Sequence, residues 1–350
     1  MSHPLPLPIQ TMYAELAERA QLGQMAEDFD PAGSFIKRTI RGRQYWYFRS
    51  AMTEGSRPEK YAGPDSPELA DKIARHRTEK TGYKERRTLV SALIRSGLRG
   101  PDARTGRVLE ALAKAGVFRL AALVVGTAAY QTYPGLIGAR LPATNTMTDD
   151  LDLAQFRGIS LAVQDAVEIP FLDILRGVDR DFQPVPSTFT PNHPTGFALG
   201  DRYRVDILTP MQGRSDDAPV ALPALKADAQ PLRFLDFLIF REVQAVALWG
   251  AGIPVNVPAP ERYALHKLLV SRLRLSTGES QAKAAKDIRQ AGELISVLSA
   301  QRPYELRDMW EELTGRGPRW RQLATEAVTL LDQATGSPAV RQALERIVGG

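Results

Sequence analysis

The spacing of apolar positions divides the chain into stretches of different character. From Ile9 to Phe29 apolar residues recur at helical intervals (Met12, Leu16, Ala20, Met25), which predicts a leading helix. After Pro31-Ala32-Gly33 the period drops to two. Ser34 to Ile40, the turn Arg41-Gly42 and Arg43 to Arg49 predict an aromatic-rich β-hairpin, with a third short strand around Lys60-Tyr61. Pro67 to about Ser96 is helical, and Gly82 is expected to break it into two helices. Pro101 to Gly116 predicts a further helix, with Asp102 near its start and Gly116 as its C-cap.

The middle of the chain switches to buried strands. Leu123-Val124-Val125 runs into Gly126-Thr127 and the small apolar Ala128-Ala129-Tyr130, which reads as a strand and a glycine turn opening a helix. Thr148 to Ala154 and Tyr203 to Leu208 alternate acids with apolar residues. Strand side chains point alternately to opposite faces, so Asp150 and Asp152 share one face while Leu151 and Leu153 enter the core. Val205 and Ile207 likewise point inward and Asp206 the other way. Asp149 then falls on the core side, as a strand-start hydrogen-bonding residue. Phe197 to Leu208 forms a hairpin that turns at Gly200-Asp201, and Gly252 to Pro258 reads as a last strand. From Pro260 onward the pattern is helical throughout: Glu261–Arg274, Glu279–Ser299, Pro303–Thr314, Pro318–Gln333 and Pro338–Val348. The expected architecture is an α/β (α+β) core with a mixed sheet at 101–258. It follows an N-terminal module at 1–100, made of a helix, a basic aromatic β-hairpin and basic helices, and precedes a C-terminal helical bundle at 259–350.

Composition places the chain among ordinary globular proteins, since 43% of its 350 residues are hydrophobic and 24% are charged. No run of about 18 apolar residues exists, so no membrane helix is expected. The N-terminal residues lack the charged and apolar regions of a signal peptide, and the absence of cysteine fits a cytoplasmic location. A net charge of +5 is mild, but the basic residues are clustered. Lys37, Arg38, Arg41, Arg43 and Arg49 stand among Phe35, Tyr45, Trp46 and Tyr47, and the following helix carries Lys72, Arg75, Arg77, Lys80, Lys84, Arg86, Arg87 and Arg95. Basic side chains interleaved with aromatic rings suit phosphate contact and base stacking. On that reading Arg41, Arg43 and Arg49 touch phosphates and Tyr45 and Tyr47 stack bases, with Trp46 and Phe48 packed on the body of the protein. The plainer alternative is that the aromatics only pack the hairpin and the basic helix is only a solvated face.

Three carboxylates, Asp150, Asp152 and Asp206, beside the turn at Gly126-Thr127 suit a hard divalent cation and phosphate oxygens. The four histidines are scattered, without zinc-ligand spacing, and there is neither a glycine-rich P-loop nor a Ser-His-Asp order. The glycine-threonine turn, the Asp-Leu-Asp pair and the later strand aspartate resemble the nucleotidyltransferase fold of the DNA polymerase β superfamily. Phe118-Arg119-Leu120, Val124 to Thr127, Asp149 to Asp152 and Val257 to Leu268 together resemble a bacterial branch related to abortive-infection nucleotidyltransferase toxins. The likeness runs from about Ala115 to Leu298. It implies Mg²⁺, with Mn²⁺ as the alternative, held by Asp150, Asp152 and Asp206, and an NTP held at Gly126 and Thr127. In this scheme Asp150 and Asp152 position metal and triphosphate, while Asp206 holds the catalytic metal and orients the attacking hydroxyl. Lys267 would reach the triphosphate, with Lys286 and Asp287 as secondary nucleotide-binding residues. The activity expected is NMP transfer from an NTP to a hydroxyl, with RNA (for instance a tRNA 3′ end) as the favoured acceptor. Two alternatives stay open: AMPylation-type modification of a protein partner, an antitoxin-like protein among them, and a catalytically idle binding module.

Overall fold

The apolar alternation of the central strands and the helical period of the flanking segments both appear in the structure, a computed structural model. It describes residues 4–23, 29–40, 43–50, 58–142, 150–163, 165–186, 190, 192–213, 218–277, 281–332 and 336–349. Arg41 and Asp149, both singled out in the sequence, lie outside the described residues.

Helix α1 (Leu7–Gly23) is followed by an antiparallel sheet of β1 (Ser34–Ile40), β2 (Arg43–Arg49) and β3 (Glu59–Pro64), in that order. Phe29, expected in the first helix, instead packs its ring on Phe35 and Phe48, with centroids 4.7 and 4.9 Å apart. Phe35 and Phe48 in turn meet His76 of α2 (Pro67–Arg95) edge to face. One face of the sheet is thereby fixed on a helix.

Contrary to expectation, Gly82 does not divide α2, which runs unbroken for 29 residues. Ser66 caps its start by accepting from the Leu69 amide. Leu69, Ile73 and His76 are buried before Gly82, and Val90 and Leu93 after it, the latter two in an apolar cluster with Leu16 of α1. A mid-helix glycine costs roughly 1 kcal/mol relative to alanine, and burial of even one large apolar side chain on each side outweighs that. Helix α3 (Ala103–Lys114) matches the sequence reading. Asp102 accepts from the Arg104 and Thr105 amides, and Gly116 takes a left-handed φ of +80° beyond the last turn.

The central elements are β4 (Leu123–Val125), which passes directly into α4 (Gly126–Tyr130), then α5 (Tyr133–Leu136), β5 (Asp150–Ala154), α6 (Arg157–Ala162) and α7 (Phe171–Arg176). There follow β6 (Gln183–Pro184), β7 (Gly196–Leu199), β8 (Tyr203–Pro210), β9 (Val220–Leu222) and β10 (Ala227–Leu232). They build a seven-stranded mixed sheet in the order β4-β5-β8-β10-β9, with β7 antiparallel on β8 and β6 on β7. After α8 (Leu235–Leu238), β11 (Val243–Ala247) and β12 (Ile253–Val257) pair only with each other, so the expected last strand lies outside the main sheet. Helices α9 (Pro260–Thr277), α10 (Gln281–Gln301), α11 (Pro303–Gly315), α12 (Pro318–Val328) and a last helix, Ala339–Val348, complete the chain. One continuous core runs from Val108 and Leu112 through Leu151, Leu153, Val205 and Ile207 to Leu265, Leu294 and Leu344. The sheet and the C-terminal helices are therefore packed as one body around the acids.

A direct check of the α2 assignment is Gly82→Ala. An added Cβ would meet nothing closer than Arg86 Nη1 at 3.8 Å. The variant is expected to gain about 0.5–1 kcal/mol and to raise Tm by a few degrees. A fall in Tm would mean that Gly82 is a break after all.

Candidate active site

The placement of the acids follows from strand register. β5 and β8 run parallel, with Asp152 opposite Asp206 and Asp150 opposite Arg204. Leu151, Leu153, Val205 and Ile207 are fully buried on the other face, which fixes the orientation of the whole set. Asp152 and Asp206 are thus nearest neighbours on one face. Asp150 is exposed, two residues back along β5 and roughly 7 Å away by strand rise. The structure therefore brings two of the three predicted carboxylates side by side and leaves the third exposed at the start of β5.

Both flanks of the pair are cleared by glycine. Gly126, at the end of β4 and next to Asp152, has φ +64°, and a Cβ there would collide with Asp152 Oδ2. Gly196 of β7 stands opposite Asp206, and a Cβ there would collide with Asp206 Oδ1. Thr127 is buried in the turn beside Gly126. Close approach of the carboxylates to backbone on both sides requires residues without a side chain.

Burial, then the neighbouring charge of Asp206, pushes the Asp152 carboxyl up to about 6, while Lys267 and Arg274 pull it down. Burial also raises Asp206, against which Arg204 acts by donating from Nε to Oδ1 at 2.6 Å. Lys267 sits two helical turns into α9, and its Nζ lies 2.5 Å from Asp287 Oδ1; Arg274 bonds Oδ2 of the same carboxylate. Lys286 is half-buried on α10, held below its ordinary value by burial and Lys267, and drawn back up by Asp287, Asp150 and Asp152. Lys283, one turn earlier, is exposed and lowers Asp206. A row of cations from α9 and α10 thus faces the acids of the sheet.

Asp287, expected from the sequence as a secondary nucleotide-binding residue, is only 2% exposed and is engaged by Lys267 and Arg274, which it anchors. Two residues escaped that reading. Arg274 follows Lys267 by seven positions, two helical turns, which places both on one face of α9. Arg204 precedes Asp206 by two, which places both on one face of β8. Both signals are present in the sequence, but each is common at chance frequency.

Among the described residues no three carboxylate or imidazole side chains stand close enough to enclose a metal ion by themselves. The donor set nonetheless fits a hard cation of the Mg²⁺ kind. Such an ion is typically held by one or two carboxylates and completed by substrate phosphates and water. Asp152 and Asp206 would supply the carboxylate oxygens, and their mutual repulsion in a half-buried site favours positive charge nearby.

The far face of the N-terminal sheet is the second predicted site. Phe48 is buried and Trp46 half-buried on the helix side, where the indole donates to Asp65 at 2.7 Å. On the opposite face Tyr45 and Tyr47 pack around Tyr61, with ring centroids 6.2 and 5.6 Å away, and Arg38 lies over the Tyr47 ring. Arg43 is exposed, while Arg49 and Arg38 both pair with Glu59. Tyr61, expected from the sequence only as part of a strand, is the most open of these three tyrosine rings, at 53%.

The raised Asp152 pKa sets a stability prediction. Below about pH 4 the carboxyl is protonated in both folded and unfolded chains and contributes nothing. Between about 4 and 6 the folded chain keeps a proton that the unfolded chain releases, so stability falls as pH rises. Above about 6 the penalty is complete, at roughly 3 kcal/mol for a shift of about two units. Asp152→Asn should therefore raise Tm at pH 7.5 in metal-free buffer and flatten the decline between pH 4 and 6. Thermal melts showing the variant less stable than the parent would contradict the charge assignment.

A nucleotidyltransferase family model matches residues 103–315, more than half of the chain and the whole span that carries Gly126, the acid pair, Lys267 and Asp287. No curated protein and no solved structure matches the chain. No helix among the described residues is long and apolar enough to cross a membrane. With the acid pair, the glycine turn and the facing cations all inside the matched span, the chain belongs to this nucleotidyltransferase family.

Proposed function

We propose that the protein transfers an NMP group from an NTP to a hydroxyl in a Mg²⁺-dependent reaction, with RNA as the acceptor. The observation that carries this reading is the parallel register that sets Asp152 beside Asp206, facing Lys267 and Arg274. Asp152 and Asp206 would hold the metal, which would supply positive charge to offset that of the attacking oxygen and the phosphates. The chain itself performs the rest. Lys267, fixed by Asp287, offers a point charge to the triphosphate, and Lys286 and Lys283 extend that cationic wall. Arg204 holds the Asp206 carboxylate in one rotation, where Asp206 orients the hydroxyl and takes up its proton. The hydroxyl oxygen bonds to the α-phosphorus as the bond to the bridging oxygen breaks, and pyrophosphate leaves. Little covalent chemistry is asked of the protein; most of the effect comes from holding charges in place.

The acceptor assignment rests on the outer face of the N-terminal sheet, where Tyr45, Tyr47 and Tyr61 lie among Arg38, Arg43 and Arg49. Base stacking on such rings is worth about 1–3 kcal/mol per base, and each backbone contact adds salt dependence.

Incubation with each α-labelled NTP and total RNA should move label onto RNA, and Asp206→Asn should abolish that transfer without loss of folding. Transfer at an unchanged rate in Asp206→Asn would refute the site. Separately, Tyr61→Ala should weaken RNA binding by at least fivefold, and Arg43→Ala should reduce the log–log salt slope by about 0.7, both at an unchanged KM for NTP. If neither variant alters RNA binding and label moves onto a protein in lysate, the acceptor is a protein.

A further inference from the structure

Tyr263, in the first turn of α9, is fully buried and touches both halves of the site. Its hydroxyl lies 2.9 Å from the Gly126 carbonyl oxygen and 3.0 Å from the side-chain amide of Gln290 on α10. One phenolic hydrogen serves one acceptor well. Gln290 Nε2 has no partner when Oε1 is the atom turned to Tyr263. With the amide turned the other way, Nε2 donates to the Tyr263 oxygen, and Tyr263 donates to Gly126. Burial holds the phenol protonated well above its ordinary range, so it stays a donor.

The ring of the same side chain carries Lys267, whose Nζ is 5.3 Å from the ring centroid one helical turn on. Tyr133 packs edge-on against it at 5.1 Å, and Tyr130 lies tilted against it at 6.1 Å. Those two rings are themselves tied down. Tyr133 donates to the Pro258 carbonyl at 3.0 Å, and Tyr130 bonds to Glu293 of α10. At its other end, Gly126 leaves no room for a Cβ beside Asp152. One rigid side chain therefore runs from the backbone that borders the acid pair to the cation that faces it.

We propose that Tyr263 is a positioning residue that sets the separation between the acid pair and Lys267, its hydroxyl acting on the metal side and its ring on the nucleotide side. This rests on reading the site as a metal–NTP centre.

The test uses binding as well as turnover, on the full chain. Tyr263→Phe keeps the ring and removes the hydroxyl. It should weaken Mn²⁺ binding, read by electron paramagnetic resonance without nucleotide, by about fivefold, and raise the Mg²⁺ requirement for activity equally, while kcat at saturation changes less than twofold. Tyr263→Leu removes the ring as well. It should bind Mn²⁺ no worse than Tyr263→Phe but bind a fluorescent ATP at least fivefold more weakly. Gln290→Leu leaves Tyr263 in place and removes only its donor, so it should shift Mn²⁺ binding in the same direction by a smaller factor; it serves should Tyr263→Phe fail to fold. If the wild-type chain binds Mn²⁺ and ATP, and Tyr263→Phe and Gln290→Leu bind Mn²⁺ equally well, Tyr263 is packing only and the proposal fails. A wild-type chain that binds neither Mn²⁺ nor ATP overturns the metal–NTP reading itself, and the proposal with it.

Discussion

Two like charges held side by side are the constraint on which the rest depends. Parallel pairing of β5 with β8 sets Asp152 against Asp206, and neither can turn away without moving Leu151, Leu153, Val205 and Ile207 out of the core. Burying four large aliphatic side chains contributes on the order of 6–12 kcal/mol, and Asp152 alone returns only about 3 kcal/mol of that as charge repulsion and desolvation. The core thus holds a local arrangement that the acids by themselves would not adopt. Such an arrangement is what a site for a cationic ligand requires, since the ligand removes the repulsion when it arrives.

The C-terminal helices complete the electrostatics. α9 and α10 pack on the sheet through the same core, and they present Lys267, Arg274, Lys283 and Lys286 on the acid side. Two of these cations share the buried Asp287, which limits their motion and keeps one net positive charge in that triad. Removing Asp287 would leave two confined cations without their anchor, a cost that buried ion pairs typically put at several kcal/mol. The N-terminal sheet stands apart from this machinery. It is carried on α2, with one aromatic face closed against the helix and the other open.

Much of the site was legible because strand alternation has a period of two. Once Leu151, Leu153, Val205 and Ile207 were read as core, Asp150, Asp152 and Asp206 had one possible face. The glycine turn was legible for the same local reason. What escaped depends on contacts distant in sequence. Gly82 read as a break because its helix propensity is visible, whereas the packing of Leu69, Ile73, Val90 and Leu93 on either side is not. The anchoring of Lys267 and Arg274 on Asp287 was not legible, because nothing local shows that side chains from another helix meet it. Tyr263 could not be singled out at all, since a buried tyrosine at a helix start shows its hydroxyl partner only in three dimensions.

On the proposed function, Asp152 and Asp206 form the cation-binding heart of an NTP site. The measurement that bears on it most directly is a crystal structure of the protein with Mn²⁺ and a non-hydrolysable NTP, read by anomalous scattering. Manganese is expected at the Asp152 and Asp206 carboxylates, with the triphosphate running toward Lys267. Manganese and nucleotide bound elsewhere, with the acid pair contacting neither, would contradict it.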